Sequence, residues 1–373
     1  MSEPFSKPVV VIDNGSYNIK AGFACDNHPV SIFRTTVGRP KYLNGTYGRG
    51  YYDVYIGDEA IERSKDLDLC YPVRQGKIIH WDNMERIWHH IFYRELKVAP
   101  EDRSVILSCA PTTSWDDKVK CCEIFFETLN VPALCIKPQS ILALFGTGLT
   151  TGMSVDLGRS LTEINPVYEG GSIAYANMQT NLAGDTVMQY ITDSLAKRGY
   201  DFGEDTTDIV DSIMKQCLYS TLEATAPRKR EDYTRTYTLP SGEVIDVSDE
   251  AFYGAEMYFQ PDVVFGKSMP CLSLQEALAT ALAKCDNELQ DELCESMVTH
   301  GGLVAGITGF NKRMVREVQA LTGKNANVIG SPESYSVAWL GGATFAGMGE
   351  SKKIWVNKKL FEEFGERIVR NRF

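Results

Sequence analysis

Two short stretches built to one plan constrain this 373-residue chain more than any other feature. In the first, Val9-Val10-Val11-Ile12 runs into Asp13, then Asn14-Gly15-Ser16, then Ile19-Lys20. Four consecutive apolar β-formers read as a buried strand that ends in a carboxylate. The Asn-Gly-Ser step is a tight turn, and Ile19 opens a returning strand, so the unit is a β-hairpin with a polar tip. The second stretch is Ser154-Val155-Asp156-Leu157-Gly158-Arg159-Ser160-Leu161-Thr162, with Asp156 placed 143 residues after Asp13. A hairpin used twice predicts two similar halves whose tips face a common ligand across a cleft. The tip chemistry suits a phosphate: backbone N–H groups, the Ser16 hydroxyl and the Lys20 ammonium converge on one point. Asp13 stands where a carboxylate holds a divalent cation through its water shell. His300-Gly301-Gly302-Leu303-Val304 adds a glycine pair that lets backbone approach a flat ligand. Alone, Asp-Asn-Gly-Ser is an ordinary surface turn; the repetition makes a two-lobed nucleotide clamp the better reading.

Composition narrows the classes. The net charge of −11 disfavours non-specific nucleic-acid binding, so no direct nucleic-acid partner is expected. No apolar run is long enough to cross a bilayer, and no signal-peptide pattern opens the chain. Ten cysteines lie scattered without zinc spacing, two of them adjacent at Cys121-Cys122. They read as reduced, mostly buried thiols of an intracellular protein.

Along the chain, 41–52 is rich in glycine and carries Tyr47, Tyr51 and Tyr52, which predicts a contact loop. Trp81–Glu95 reads as a helix with Trp81, Met84, Ile87, Trp88 and Ile91 on one face. His89-His90 on that helix do not share a face and so do not suggest a metal. Further helices are expected over Asp116–Thr128, from Gln139 to Leu144, from Gly184 to Arg198, over Thr206–Thr225, Leu274–Lys284 and Asn311–Leu321, and in the tail. Strands are expected at Ser104–Cys109 and Ala133–Ile136, so the first half is an α/β lobe with a mixed sheet. Arg228-Lys229-Arg230 reads as a solvated loop, and Val263-Val264-Phe265 as either tucked core or an interface plug.

The chain resembles actin and the actin-related proteins over its full length. The matching stretches include Ile12-Asp13-Asn14-Gly15-Ser16, Lys20-Ala21-Gly22-Phe23-Ala24, Val37-Gly38-Arg39-Pro40 and Ile56-Gly57-Asp58-Glu59-Ala60. Leu182-Ala183-Gly184, Phe259-Gln260-Pro261, Trp339-Leu340-Gly341-Gly342 and the ending from Trp355 match as well. The resemblance implies the two-lobed α/β actin/hexokinase/heat-shock-chaperone ATPase fold, with duplicated mixed-sheet cores and four subdomains. Subdomain 1 would take 1–34, 72–146 and 337–373; subdomain 2, 35–71; subdomain 3, 147–182 and 274–336; subdomain 4, 183–273. It implies ATP or ADP with Mg or Ca as cofactor, and a cytoplasmic, cytoskeletal location, with a nuclear one as alternative. Carried over by position, Asp13 and Asp156 order water around the metal. Ser16 and Lys20 match phosphate contacts, Gly15, Tyr17 and Asn18 belong to the same cofactor-binding set, and Gln139 positions the attacking water. Gly158, Arg159, Ser160, Leu161, Gly184, Lys215, Gly301 and Gly302 complete the nucleotide site, and 41–52 inserts into a neighbouring subunit.

Departures from the family pattern cluster at the site. Tyr17 replaces a glycine, Arg159 an aspartate, Ser160 a glycine, and Glu163 the water-orienting histidine. Arg159 is expected to add positive charge for phosphate, and Glu163 to be an anion that repels it. The tyrosine that stacks on adenine is missing, and Met214-Lys215 stand where the family has Lys-Glu. Gly45-Thr46 and Arg49 alter the insertion loop, while Phe145, Thr150, Phe345, Met348 and Ile354 keep an apolar groove for a partner's helix or loop. The resulting expectation is a divergent actin-related protein in a larger assembly, with weak or no ATP hydrolysis and poor self-polymerisation. A polymerising actin-like ATPase and a chromatin-remodeller subunit are the alternatives.

Overall fold

The computed structural model describes residues 4–41, 54–222, 233–266, 271–330, 333–349 and 353–373. The chain divides into two compact units: Met1–Gly148 with Ala338–Phe373, and Leu149–Val337.

The first unit is built on a six-stranded sheet. Its order is Val356–Asn357, Ala133–Pro138, Val105–Cys109, Val10–Asn14, Asn18–Phe23, Ser31–Arg34. Val10–Asn14 turns back antiparallel into Asn18–Phe23, with Asp13 opposite Lys20, and lies parallel to Val105–Cys109. Parallel strands need a crossover, and Trp115–Glu123 with its continuation supplies one before Ala133–Pro138. Val10, Val11 and Ile12 are fully buried, as a strand covered on both faces must be.

The second unit repeats the plan. Gly152–Leu157 turns antiparallel into Thr162–Tyr168 and lies parallel to Met297–His300, which is parallel to Val328–Gly330. Each unit is therefore a hairpin followed by two parallel strands on the same side, so the duplication extends well beyond the hairpin tips. Ser273 opens the helix Leu274–Lys284 with a capping box: its hydroxyl accepts from the Glu276 amide, and Glu276 accepts from the Ser273 amide.

Several elements differ from the sequence expectation. The Trp81–Glu95 and Asp116–Thr128 helices each widen into a π turn, at Ile91–Glu95 and Ile124–Thr128. The helix from Thr206 ends at Cys217 instead of reaching Thr225. Beyond it, backbone bonds go to another segment: Ser220 N–H donates to Thr308 O at 2.8 Å, and Thr308 N–H to Leu218 O at 3.2 Å. Val263-Val264-Phe265 lie in the short helix Pro261–Phe265, with Val263 exposed and Val264 and Phe265 packed on the core. Helices Asn287–Glu295 and Val337–Gly347 had no counterpart in the sequence reading. The contact loop beyond Lys41 and the Arg228-Lys229-Arg230 segment lie outside the described residues.

Candidate functional site

In the first unit the hairpin places Asp13 at a strand end, 2% exposed, inside a ring of donors. Lys20 Nζ donates to its Oδ2 at 2.7 Å. Ser108 Oγ and Gln139 Nε2 donate to Oδ1 at 2.6 and 2.8 Å. Burial by itself would push the Asp13 carboxyl up. The Lys20 charge and the hydrogen bonds from Lys20, Ser108 and Gln139 outweigh it and hold the group below its ordinary value. Gln139 opens the helix Gln139–Gly146, and its Nε2 also reaches Asn14 O at 3.2 Å. Asn14 is fixed in turn, its N–H donating to Ser108 Oγ at 2.9 Å and its Oδ1 accepting from Trp88 Nε1 at 3.3 Å.

The turn itself admits only glycine at position 15, where a Cβ would stand 2.3 Å from Asn18 O. Tyr17 is covered by the Arg34 guanidinium, 3.9 Å from its ring centroid. Ser16, Tyr17 and Asn18 are half-buried at the tip. This set fits a phosphate with a divalent cation. Lys20 is held by Asp13 and would have to share its ammonium with a phosphate, and three donors fill three of the roughly four acceptor positions of the Asp13 carboxylate, leaving one for metal-bound water.

In the second unit Asp156 lies opposite Glu163 across the hairpin and opposite His300 on the parallel strand. His300 Nδ1 is 3.7 Å from Asp156 Oδ1, and its Nε2 lies 2.7 Å from Ser154 Oγ. Ser154, His300 and Asp156 follow one another in space, but the His300–Asp156 gap is too long for a hydrogen bond and the three form no nucleophile relay. Ser154 is also fully buried. Gly301, at φ 101°, sits against the Asp156 carboxylate, where a Cβ would come to 2.4 Å from Oδ1. Gly302 faces open space.

Two expectations change here. Glu163 is not the anion foreseen. It is 7% exposed, and burial first, then the nearby Asp156 charge, pushes its carboxyl up to about 8. Nor does Arg159 offer a charge to phosphate, because two carboxylates already hold it. Its Nε donates to Asp185 Oδ1 at 2.5 Å and its Nη1 to Asp211 Oδ1 at 3.3 Å. Lys215, the other basic residue assigned to this site, pairs with Asp211 Oδ2 at 2.6 Å. Gly158 meets Leu161 O across the turn, and Gly184 packs on the Arg159 backbone; Ser160 and Leu161 are half-buried beside them.

Sequence reasoning missed Ser108, Asp185, Asp211 and the pairing of Ser154 with His300. Ser108, Asp185 and Asp211 come from elements outside the quoted motifs, whereas Ser154 and His300 lie within them and only their pairing across two parallel strands was hidden. Of the groove residues, Phe145 and Phe345 are buried and stacked on each other, centroids 5.5 Å apart. Met348 is exposed and Ile354 half-buried. His90 pairs with Glu95 at 3.0 Å, while His89 lies 3.9 Å from Glu85, so the two imidazoles serve different carboxylates. All ten cysteines are free thiols, Cys121 and Cys122 both buried. No helix among the described residues is long and apolar enough to cross a membrane.

A duplicated α/β core, each half headed by a hairpin with an aspartate at its strand end, defines the two-lobed ATPase-type fold class. The Actin family model matches residues 6–373. The chain belongs to the actin family, whose fold generally binds ATP or ADP with a divalent cation.

Proposed function

We propose that this chain is a divergent actin-related protein, a structural subunit of a larger cytoskeletal assembly. It holds ATP or ADP with Mg or Ca for structure and hydrolyses it weakly or not at all. The phosphate end of the ligand falls to Gly15, Ser16, Tyr17, Asn18 and Lys20, with Asp13 reaching the cation through water. Asp156, Gly158, Ser160, Leu161, Gly184, Gly301 and Gly302 are the second unit's contributions. The cation would neutralise phosphate charge.

One observation carries the loss of hydrolysis. Glu163 takes the family's water-orienting position, and with its carboxyl at about 8 it is a neutral acid at pH 7. A buried carboxyl of this kind does not reproduce the imidazole nitrogen that accepts a hydrogen bond from water at this position, and while protonated it takes no proton from water either. Gln139, the remaining water-positioning candidate, directs its amide nitrogen at Asp13 and the Asn14 carbonyl. Loss of one such group costs roughly 10²–10⁴-fold in rate. Single-turnover phosphate release should therefore run at least about 100-fold below that of conventional actin. Release at the conventional rate would overturn the reading. Binding has its own measurement: Mg-ATP or Mg-ADP should raise the melting temperature, and no shift would mean a vestigial site.

A further inference from the structure

Arg159 sits in the turn between Gly152–Leu157 and Thr162–Tyr168, and it ties that turn to two helices. Backbone makes the first link: Gly184 N–H donates to Gly158 O at 3.0 Å, and Asp185 N–H to Arg159 O at 2.7 Å. The side chain makes the rest. Its Nε reaches Asp185 in the first turn of Gly184–Lys197, its Nη2 contacts Met188 Sδ one turn on, and its Nη1 reaches Asp211 in Thr206–Cys217. Asp211 is 7% exposed and also accepts Lys215 Nζ. The guanidinium side chain is itself only 15% exposed. Gly184 makes the close approach possible, since its missing Cβ would stand 3.2 Å from Arg159 Cα.

A planar, permanently charged fork that meets two carboxylates on two elements organises both, more firmly through buried Asp211 than through Asp185, whose side chain is 59% exposed. Bridging of this kind, from a strand-turn tip to the surrounding helices, is what a bound ligand does in a protein that closes on it. We propose that Arg159 is a built-in tether that replaces a ligand as the link from this turn to helices Gly184–Lys197 and Thr206–Cys217. The second unit then keeps one arrangement with or without nucleotide. A ligand with equal affinity for two arrangements shifts neither, and here the tether has already selected one.

This deepens the structural-nucleotide reading and rests on it only where nucleotide is added. Hydrogen exchange on the full-length protein tests the tether directly. Without nucleotide, Arg159→Ala should speed exchange at least tenfold in both helices, and Arg159→Lys, able to reach one carboxylate at a time, should fall between it and the unsubstituted protein. Asp185→Asn should loosen the start of Gly184–Lys197 alone, and Asp211→Asn should loosen Thr206–Cys217 alone. That split separates a tether from general destabilisation, which would loosen both helices in every variant. Lys324→Ala, which removes an ion pair to Asp291 elsewhere in the unit, should leave both helices unchanged. In the unsubstituted protein, Mg-ATP should leave exchange in both helices unchanged. The proposal is overturned if Arg159→Ala matches the unsubstituted protein, or if Mg-ATP strongly protects these helices while Arg159 is present. Should Mg-ATP fail to raise the melting temperature while the substitution pattern holds, the nucleotide reading falls and the tether stands.

Discussion

Two buried carboxyls, Asp13 and Glu163, respond to pH in opposite directions. Asp13 is held below its ordinary value by Lys20, Ser108 and Gln139, so its contribution is present above the ordinary carboxylate value and is lost as pH falls from there down through the lowered folded value. Glu163 is raised from 4.5 to about 8. Between those values the unfolded chain has released this proton and the folded chain retains it, so stability falls as pH rises from 4.5 to 8. At about 1.4 kcal/mol per pKa unit, the loss reaches up to about 5 kcal/mol by pH 8. Urea midpoints at pH 5 and pH 8.5 should show this drop, and Glu163→Gln should remove most of it. An unchanged slope in the variant would place the titrating group elsewhere. The sequence showed that Glu163 was an anomaly, because its position could be counted from Asp156. It did not show the protonation state. That depends on how deeply Thr162–Tyr168 is covered and on the register that sets Glu163 opposite Asp156. Arg159 was misjudged for the same reason: its partners lie 26 and 52 residues away.

The hairpins were legible because local chemistry determines them: an apolar run, a turn and a return within a dozen residues. Helix Val337–Gly347 was not, because its glycines argue locally against helix while serving a contact elsewhere. A Cβ on Gly341 would stand 1.6 Å from Leu142 O in helix Gln139–Gly146, and one on Gly342 would stand 2.6 Å from Val11 Cγ1. The glycine pair lets the helix lie directly on its neighbours, and Trp339 Nε1 donates to Val11 O at 3.0 Å. Gly341→Ala must separate two backbones and should lower unfolding free energy by about 3 kcal/mol or more, the upper end of what overpacking costs. Gly347, in the same helix, has open space at its Cβ. Gly347→Ala should be neutral or stabilising by up to about 1 kcal/mol, from helix propensity alone. Chemical denaturation of the two variants separates contact from propensity; equal effects would show that close approach is not the reason for Gly341. The helix ending at Cys217 teaches the complementary lesson. Its periodicity ran on, but the backbone of Leu218 and Ser220 is taken up by Thr308.

For the whole molecule, actin-family membership raises the question of self-assembly. A filament needs two different surfaces that repeat without closing, so weakening either one stops growth. We propose that the sequence 41–52 would supply one of them; there Gly45-Thr46 and Arg49 stand where the family is apolar. The other, on the same proposal, would lie around Phe145 and Phe345, which are buried against each other, and Met348, which is exposed. The net charge of −11 adds mutual repulsion between copies at low ionic strength. Phe345→Asp would place a charge in the interior and report on folding, so Met348→Asp is the cleaner probe of the surface. At micromolar concentration with Mg-ATP and salt, the protein should stay in the supernatant on sedimentation. Gly45→Val with Thr46→Val should move a fraction into the pellet, since it restores apolar character to the altered surface. Met348→Asp added to that pair should return it to the supernatant while leaving the melting temperature within a few degrees. Long homopolymers from the unsubstituted chain would refute the view of this protein as a subunit held by other proteins rather than by copies of itself.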